Sequence, residues 1–273
     1  MHPVFADLAH CARVVSLAAA AHTIAVECPD GKIMLGMMHS LGEITPDAIA
    51  AAFGGADAYR DALAASDLVA LVNWTMLPHM TAIFTDLVDN ILPRVPTSPA
   101  PAGEALAKQA RQFFFDLADP EKRSAADFRE ALAAIARFEK FGRVTLSLNL
   151  KEARQAAAVL AVPATGEDDA GLTVLTVGIR QKLAVATVVV HPRECAVCAT
   201  AVGTWRVSGP VAERPHITTG AGDQFNAGFA TGQLLGLTPE SCLALGVCTS
   251  GHYVRTGASP SLADLETFLA NWR

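Results

Sequence analysis

Apolar residues alternate between strand-like and helix-like spacing along most of the chain. HTIAVECPDGKIMLGMM (22–38) has two strand-like runs around Pro29-Asp30-Gly31, a turn signal, and predicts a β-hairpin. TPDAIAAAF predicts a helix with Thr45 as N-cap and Pro46 in the first position. DLVALVNW (67–74) is a short apolar run of the kind that parallel sheets bury, and the segment after it is helical in pattern to about residue 92. The Pro-rich VPTSPAPAG (95–103) reads as a surface loop. RQFFFDLAD predicts the next strand, and Ser124 caps a helix running to about Phe141. RVTLSLN predicts a strand, LKEARQAAAVLA a helix and KLAVATVVVH a further strand. CAVCATAV and TWRVSG follow, then three helix-like stretches from Gly220 to SLADLETFLANW.

Strand and helix alternate from Asp67 onward, which predicts an α/β fold, a doubly wound, mostly parallel sheet with helices on both faces. Such sheets bind ligands at the carboxyl ends of their strands. Asn73, Asp116, Asp119 and Asn149 stand at predicted strand ends. The 273 residues suit one domain, 1–273. With 51 % hydrophobic and 18 % charged residues, the chain has material for a large core. A net charge of -6, with no basic tract, argues against a nucleic-acid partner. No apolar run is long enough to span a membrane. Cys195 and Cys198 form a CxxC without a second pair at zinc-like spacing, so reduced thiols and a cytoplasmic protein are expected.

The chemistry concentrates in TTGAGDQFNAGF (218–229). Gly220-Ala221-Gly222 suits a sharp turn that opens a helix, where free backbone N–H groups and the helix dipole attract an anion. Asp223 in the first turn is either a cap or a base that takes the proton of an attacking hydroxyl.

This stretch resembles the signature of the ribokinase-like (phosphofructokinase-B type) carbohydrate kinase family. The resemblance implies that Asp223 is the general base and that Gly220, Ala221 and Gly222 form the anion hole for the γ-phosphate of ATP. It also sets Thr219 and Asn226 beside the nucleotide. SLNLKEA matches the family's Asn-x-x-Glu motif, which makes Asn149 and Glu152 organisers of Mg²⁺ and phosphate, Glu152 through water. Taken alone, the pair reads as a helix N-cap and a first-turn acid. RTGASPSL (255–262) resembles a C-terminal loop that lines the nucleotide, with Gly246, Ser250 and Gly257 as small contacts; a helix C-cap explains Gly257 equally well. The hairpin at about 22–39 resembles the substrate lid of these kinases, a strand pair that excludes water and often pairs with a second subunit, which implies a homodimer.

The resemblance runs from about His22 to the C-terminus, and three departures accompany it. The family's N-terminal segment, with a substrate Asp and a Gly-Gly-x-x-x-Asn motif, is not found in residues 1–21. Ile217 stands where many relatives carry a cation-binding Asp. His191-Pro192-Arg193-Glu194 replaces a Gly-rich turn that contacts nucleotide phosphate; Arg193 is a contact in its place or a solvated loop charge.

Asp116 and Asp119 are candidates for sugar hydroxyls or a metal, with Lys122 and Arg123 nearby as candidates for an anionic substrate group or nucleotide phosphate; the alternative is a strand end followed by a solvated Asp-Pro turn. Asn73 is a second substrate candidate beside Trp74, or a cap on a core Trp. His39 and His79 have no acid–base partner at readable spacing. The expected activity is ATP- and Mg²⁺-dependent phosphoryl transfer to a hydroxyl of a small sugar. Alternatives are a nucleoside kinase of the same family and a nucleotide- or sugar-binding protein without turnover.

Overall fold

A computed structural model describes residues 6, 8–28, 31–95, 110–163, 166 and 168–271. The chain divides into two compact units, one of residues Met1–Ser66 and Asn73–Thr97, the other of Asp67–Val72 and Ser98–Arg273.

In the first unit, β1 (His22–Cys28) and β2 (Gly31–Met37) pair antiparallel, Cys28 opposite Gly31, as the hairpin pattern predicts; the turn residues 29 and 30 lie outside the described residues. Opposite residues of such a pair share a face, and here Ile24 and Leu35 are both about half exposed, with Val26 and Met37 exposed beside them. Helix α1 (Pro46–Phe53) begins where expected, with the Thr45 hydroxyl accepting from the Ala48 N–H at 3.2 Å. Helices α2 (Ala56–Ala65) and α3 (Met80–Asp86) follow, and Phe53 stacks on Tyr59 with ring centroids 4.5 Å apart.

The second unit holds a six-stranded sheet: β3 (Leu68–Leu71), β4 (Gln112–Asp116), β5 (Arg143–Leu148), β6 (Thr187–Val190), β7 (Cys195–Ala199) and β8 (Thr204–Ser208). The strands lie in chain order; β3 to β6 run parallel, β7 pairs antiparallel with β6, and β8 pairs antiparallel with β7. Alternation along β4 separates two helical layers. Phe113 and Phe115 meet Phe138 edge-on at 5.1 and 5.0 Å, on the side of α4 (Ala125–Arg137). Phe114 enters a core with Phe225 and Phe229 of α7 (Ala221–Leu234) and Leu243 and Val247 of α8 (Pro239–Thr256). A final helix, α9 (Leu262–Asn271), adds Leu265 to that core.

Two expectations change. The strand predicted over 67–74 ends at Leu71, because Asn73 turns into left-handed backbone (φ 63) and Trp74 opens a short 3-10 turn. The strand predicted from Lys182 begins only at Thr187. Lys182 and Leu183 instead end α6 (Asp169–Leu183), a helix that the sequence pattern leaves unread and that buries Leu172, Leu175, Ile179 and Leu183. Most of the Pro-rich connector at 95–103 lies outside the described residues.

Candidate active site

Parallel pairing of Asp116 with Ser147 and of Leu148 with Val190 brings Asp116, Asn149 and His191 to one edge of the sheet, at the carboxyl ends of three adjacent strands. The amino end of α7 opens there too. Asp116, Asn149, Glu152, His191, Arg193, Ser250 and residues 220–223 line one cleft of about 510 Å³.

Gly220 precedes α7 at φ 90, a left-handed conformation that costs other residues strain. No side chain caps the helix, and the Gln224 N–H already reaches back to the Gly220 carbonyl at 3.0 Å. Helix geometry leaves the N–H groups of Gly222 and Asp223 without an intrahelical acceptor. Gly222 leaves room above them: a Cβ there would meet only His191 Cε1, 3.6 Å away. The sequence-predicted anion hole and the Asp223 carboxylate thus share one cleft.

Opposite stands a carboxylate array held from below. Asn149 and Glu152 form a reciprocal capping box: Asn149 Oδ1 accepts from the Glu152 N–H at 3.0 Å, and Glu152 Oε2 accepts from the Asn149 N–H at 2.9 Å. Glu152 Oε1 accepts the Asp119 N–H at 2.9 Å, so each oxygen of this buried carboxylate holds one backbone donor. Asp116 Oδ1 accepts the Ala118 N–H at 2.9 Å, and its Oδ2 accepts the Asn226 amide. These bonds hold Ala118 and Asp119 in successive left-handed conformations, φ 57 and 68, which are rare outside glycine.

Burial raises the Asp116 carboxyl above the usual range, against hydrogen bonds from Ala118 and Asn226, and the charge of Asp223 adds to the rise. Burial likewise raises Glu152, and the charges of Asp116 and Asp119 add to it. Like charges so gathered favour a divalent cation between them. Among the described residues no three His, Cys, Asp or Glu side chains are grouped closely enough to hold a metal directly. The arrangement fits a cation held through water and phosphate oxygens.

Other sequence candidates fall elsewhere. Asn226 is buried, its amide committed to Asp116 and, at 2.6 Å, to the Ser147 hydroxyl. The Asp119 carboxylate meets Lys122 at 3.4 Å and Lys151 at 3.5 Å. Thr219 offers its carbonyl to the Tyr253 hydroxyl at 3.0 Å. Gly246 packs under Phe225, where a Cβ would come within 2.8 Å of the ring. Gly257 is the left-handed C-cap of α8, with the His216 ring against it. Asn73 is an exposed residue of the first unit. Cys195 lines the cleft, Cys198 enters the α7–α8 core, and burial pushes both thiols up, Cys198 to about 12.

The sequence reading misses Ser147, Phe225 and the wall at 209–215. Arg193 and Arg255 donate to the Ala212 and Val211 carbonyls of that wall at 2.9 and 3.1 Å. Of these, Ser147 stands two residues before Asn149 and faces α7, where its hydroxyl donates to Asn226.

A ketohexokinase of Haloferax volcanii is 26 % identical over 257 residues. The match covers 94 % of this chain, which spans 64 % of that relative's length. The crystal structure of a ribokinase from Thermotoga maritima superposes with a TM-score of 0.64 at 15 % identity, covering 93 % of this chain and 71 % of that one. A putative ribokinase II from E. coli, in complex with ATP and Mg²⁺, superposes with a TM-score of 0.60 at 14 % identity, covering 91 % and 70 %. The fold is therefore ribokinase-like. A family model described as prokaryotic ketohexokinase matches residues 1–272, including the segment before His22, and the chain belongs to that family.

Proposed function

We propose that the chain is a sugar kinase that transfers the γ-phosphoryl group of Mg·ATP to a hydroxyl of a ketohexose. The observation that carries this reading is the bare amino end of α7, with unpaired N–H groups and the Asp223 carboxylate opening onto the same cleft. Among the described residues that line the cleft, Asp116, Glu152 and Asp223 are acidic, and Arg193 is the only lysine or arginine. A polyphosphate fits such a site only with a divalent cation between it and the carboxylates.

The bound Mg·ATP supplies the phosphoryl group and neutralises its oxygens. The N–H groups of Gly222 and Asp223 stabilise charge on the transferred group. Asp223 takes the proton from the attacking sugar hydroxyl. Asn149 and Glu152 would hold the cation through water, and Asp116 lies near enough to Asp223 for its charge to act on it. Ser250, Val247 and the wall at 209–215 offer a mostly apolar slot for the base and ribose. The acceptor named here is that of the family and of the Haloferax relative. The exposed Ile24, Val26, Leu35 and Met37 support a homodimer through β1 and β2, with that hairpin as the lid. The free Cys195, Cys198, Cys242 and Cys248 suit a reducing cytoplasm.

The test is ADP release from Mg·ATP across ketohexoses, aldohexoses, ribose and nucleosides. Turnover with ketohexoses, lost about 10²- to 10⁴-fold in Asp223→Asn while nucleotide still binds, supports the reading. Preferred turnover of a nucleoside, or binding without turnover of any acceptor, overturns it.

A further inference from the structure

The sheet carries a second cavity, at the edge opposite the active-site cleft. β4, β5 and β6 begin there with Gln112, Arg143 and Thr187, and the last turns of α7 with the start of α8 stand over them. The space between is about 450 Å³, within the usual size of a small-molecule site. Strand alternation sets Thr187 on the same side as Val189, which packs in the α7–α8 core, so its side chain is directed at this space.

Thr187 is 3 % exposed, and among the described residues nothing hydrogen-bonds its hydroxyl. Thr145, its partner across the parallel pair, differs: that hydroxyl meets the Gln233 side chain at 2.9 Å. β6 reads Thr-Val-Val-Val, and a fourth valine would have nearly the same shape without desolvating a hydroxyl. A buried polar group that the fold leaves unpaired is explained by a ligand that pairs it.

Charge selects the ligand. Among the described residues that line the cavity, Arg143 is the only charged one, and no described carboxylate forms an ion pair with it. Cys198 and Cys242 also face the cavity, and burial pushes their thiols up to about 12 and about 11, so at neutral pH neither opposes an anion. Phe229, Leu237 and Pro239 supply apolar walls suited to a short carbon body.

We propose that this cavity is a second ligand site, for a small organic anion whose carboxylate or phosphate head is held by the Arg143 guanidinium and the Thr187 hydroxyl, with its apolar body against Phe229, Leu237 and Pro239. The site is separate from the cleft that holds Asp223, at the other end of α7, and the inference does not rest on the kinase reading.

The test uses probes that share one phenyl ring: benzoate and phenyl phosphate are anions, benzyl alcohol is neutral and benzylamine is a cation. Binding to the full chain is followed at neutral pH through backbone amide resonances. At least one of the anions should bind with a dissociation constant of about 1 mM or tighter and shift Thr187, Gly236 and Leu237. The tighter of the two identifies the head group. Benzyl alcohol and benzylamine should bind about tenfold more weakly or worse. Arg143→Gln should weaken the anion about tenfold and abolish those shifts at the same concentration. Thr187→Val should weaken it about three- to tenfold while the melting temperature stays unchanged or rises, because this hydroxyl has no protein partner to lose. Absence of binding by both anions overturns the site, and so do shifts confined to the active-site cleft. Equal binding of benzyl alcohol overturns the assignment to an anion. A marked fall in melting temperature in Thr187→Val overturns the role of its hydroxyl, which would then serve the fold.

Discussion

Asn226 donates its amide to Asp116 from one turn beyond Asp223, so the helix that bears the proposed base also fixes a second carboxylate of the cleft. The Asn226 carbonyl accepts the Ser147 hydroxyl, which sets the amide orientation and leaves both Asp116 oxygens with donors. Asn226→Ala strips a partner from a buried carboxylate and a buried hydroxyl at once. The expected cost is about 1–3 kcal/mol of stability, read by urea unfolding, with a fall in turnover larger than the change in nucleotide affinity. A variant with unaltered stability and turnover would show the network to be idle.

Gly220 is the residue whose backbone aims the open end of α7. A Cβ at φ 90 is strained, and it would lie 3.0 Å from the Tyr253 hydroxyl. Gly220→Ala is expected to cost about 1–2 kcal/mol in strain and to weaken Mg·ATP binding several-fold. Calorimetry and a thermal melt on the same sample decide whether the strain appears in the fold, the site or both.

The raised carboxyls of Asp116 and Glu152 give a pH dependence with a definite sign. The folded chain holds these protons more tightly than the unfolded chain, whose groups titrate at ordinary values near 3.8 and 4.5. As pH rises from those values through the raised ones, ionisation costs folding free energy, and the loss is complete above them. A divalent cation between the carboxylates offsets that loss. Stabilisation by Mg²⁺ in a thermal melt should therefore be larger near pH 7 than near about pH 4, and Asp116→Asn should flatten the difference. A Mg²⁺ effect that does not vary with pH in the unmodified chain would remove the cation from this array.

Gly246 links the packing of two helices to the cleft. Its missing side chain admits the Phe225 ring, and Phe225 carries His191. Gly246→Ala is expected to destabilise the fold by about 1–3 kcal/mol through overpacking. It should also disturb His191, visible as a changed ring resonance in the absence of any ligand.

The parts of this structure written in local pattern were legible in the sequence. Thr45 and Ser124 cap α1 and α4, and Asn149 with Glu152 caps α5 (Leu150–Val159), because a cap needs only a few consecutive residues to form. The turn at 220–223 is local in the same sense. Helix α6 escapes notice because Thr173, Val174, Thr176 and Val177, β-branched residues common in strands, crowd its middle. The Ser147–Asn226–Asp116 network escapes for another reason. It exists only once β4 and β5 adopt their register and α7 lies across them, a relation between segments that no short window contains. Gly246 illustrates the converse: a small residue suits a ligand and a neighbouring ring equally well on paper, and only the packing places it against Phe225.

Helix α7 is pinned at both ends to the same sheet. Near its start Asn226 holds Ser147 and Asp116; about two turns on, the Gln233 side chain meets the Thr145 hydroxyl at 2.9 Å, and the Gln233 backbone carbonyl accepts the Gln112 amide at 3.3 Å. Thr145 and Ser147 point the same way from β5, like two rivets in one rail. A helix fastened so can neither slide nor roll without breaking buried polar bonds. The proposed base Asp223 and the N–H groups beside it are therefore held in position before any ligand arrives, and a ligand that binds there meets a site already built.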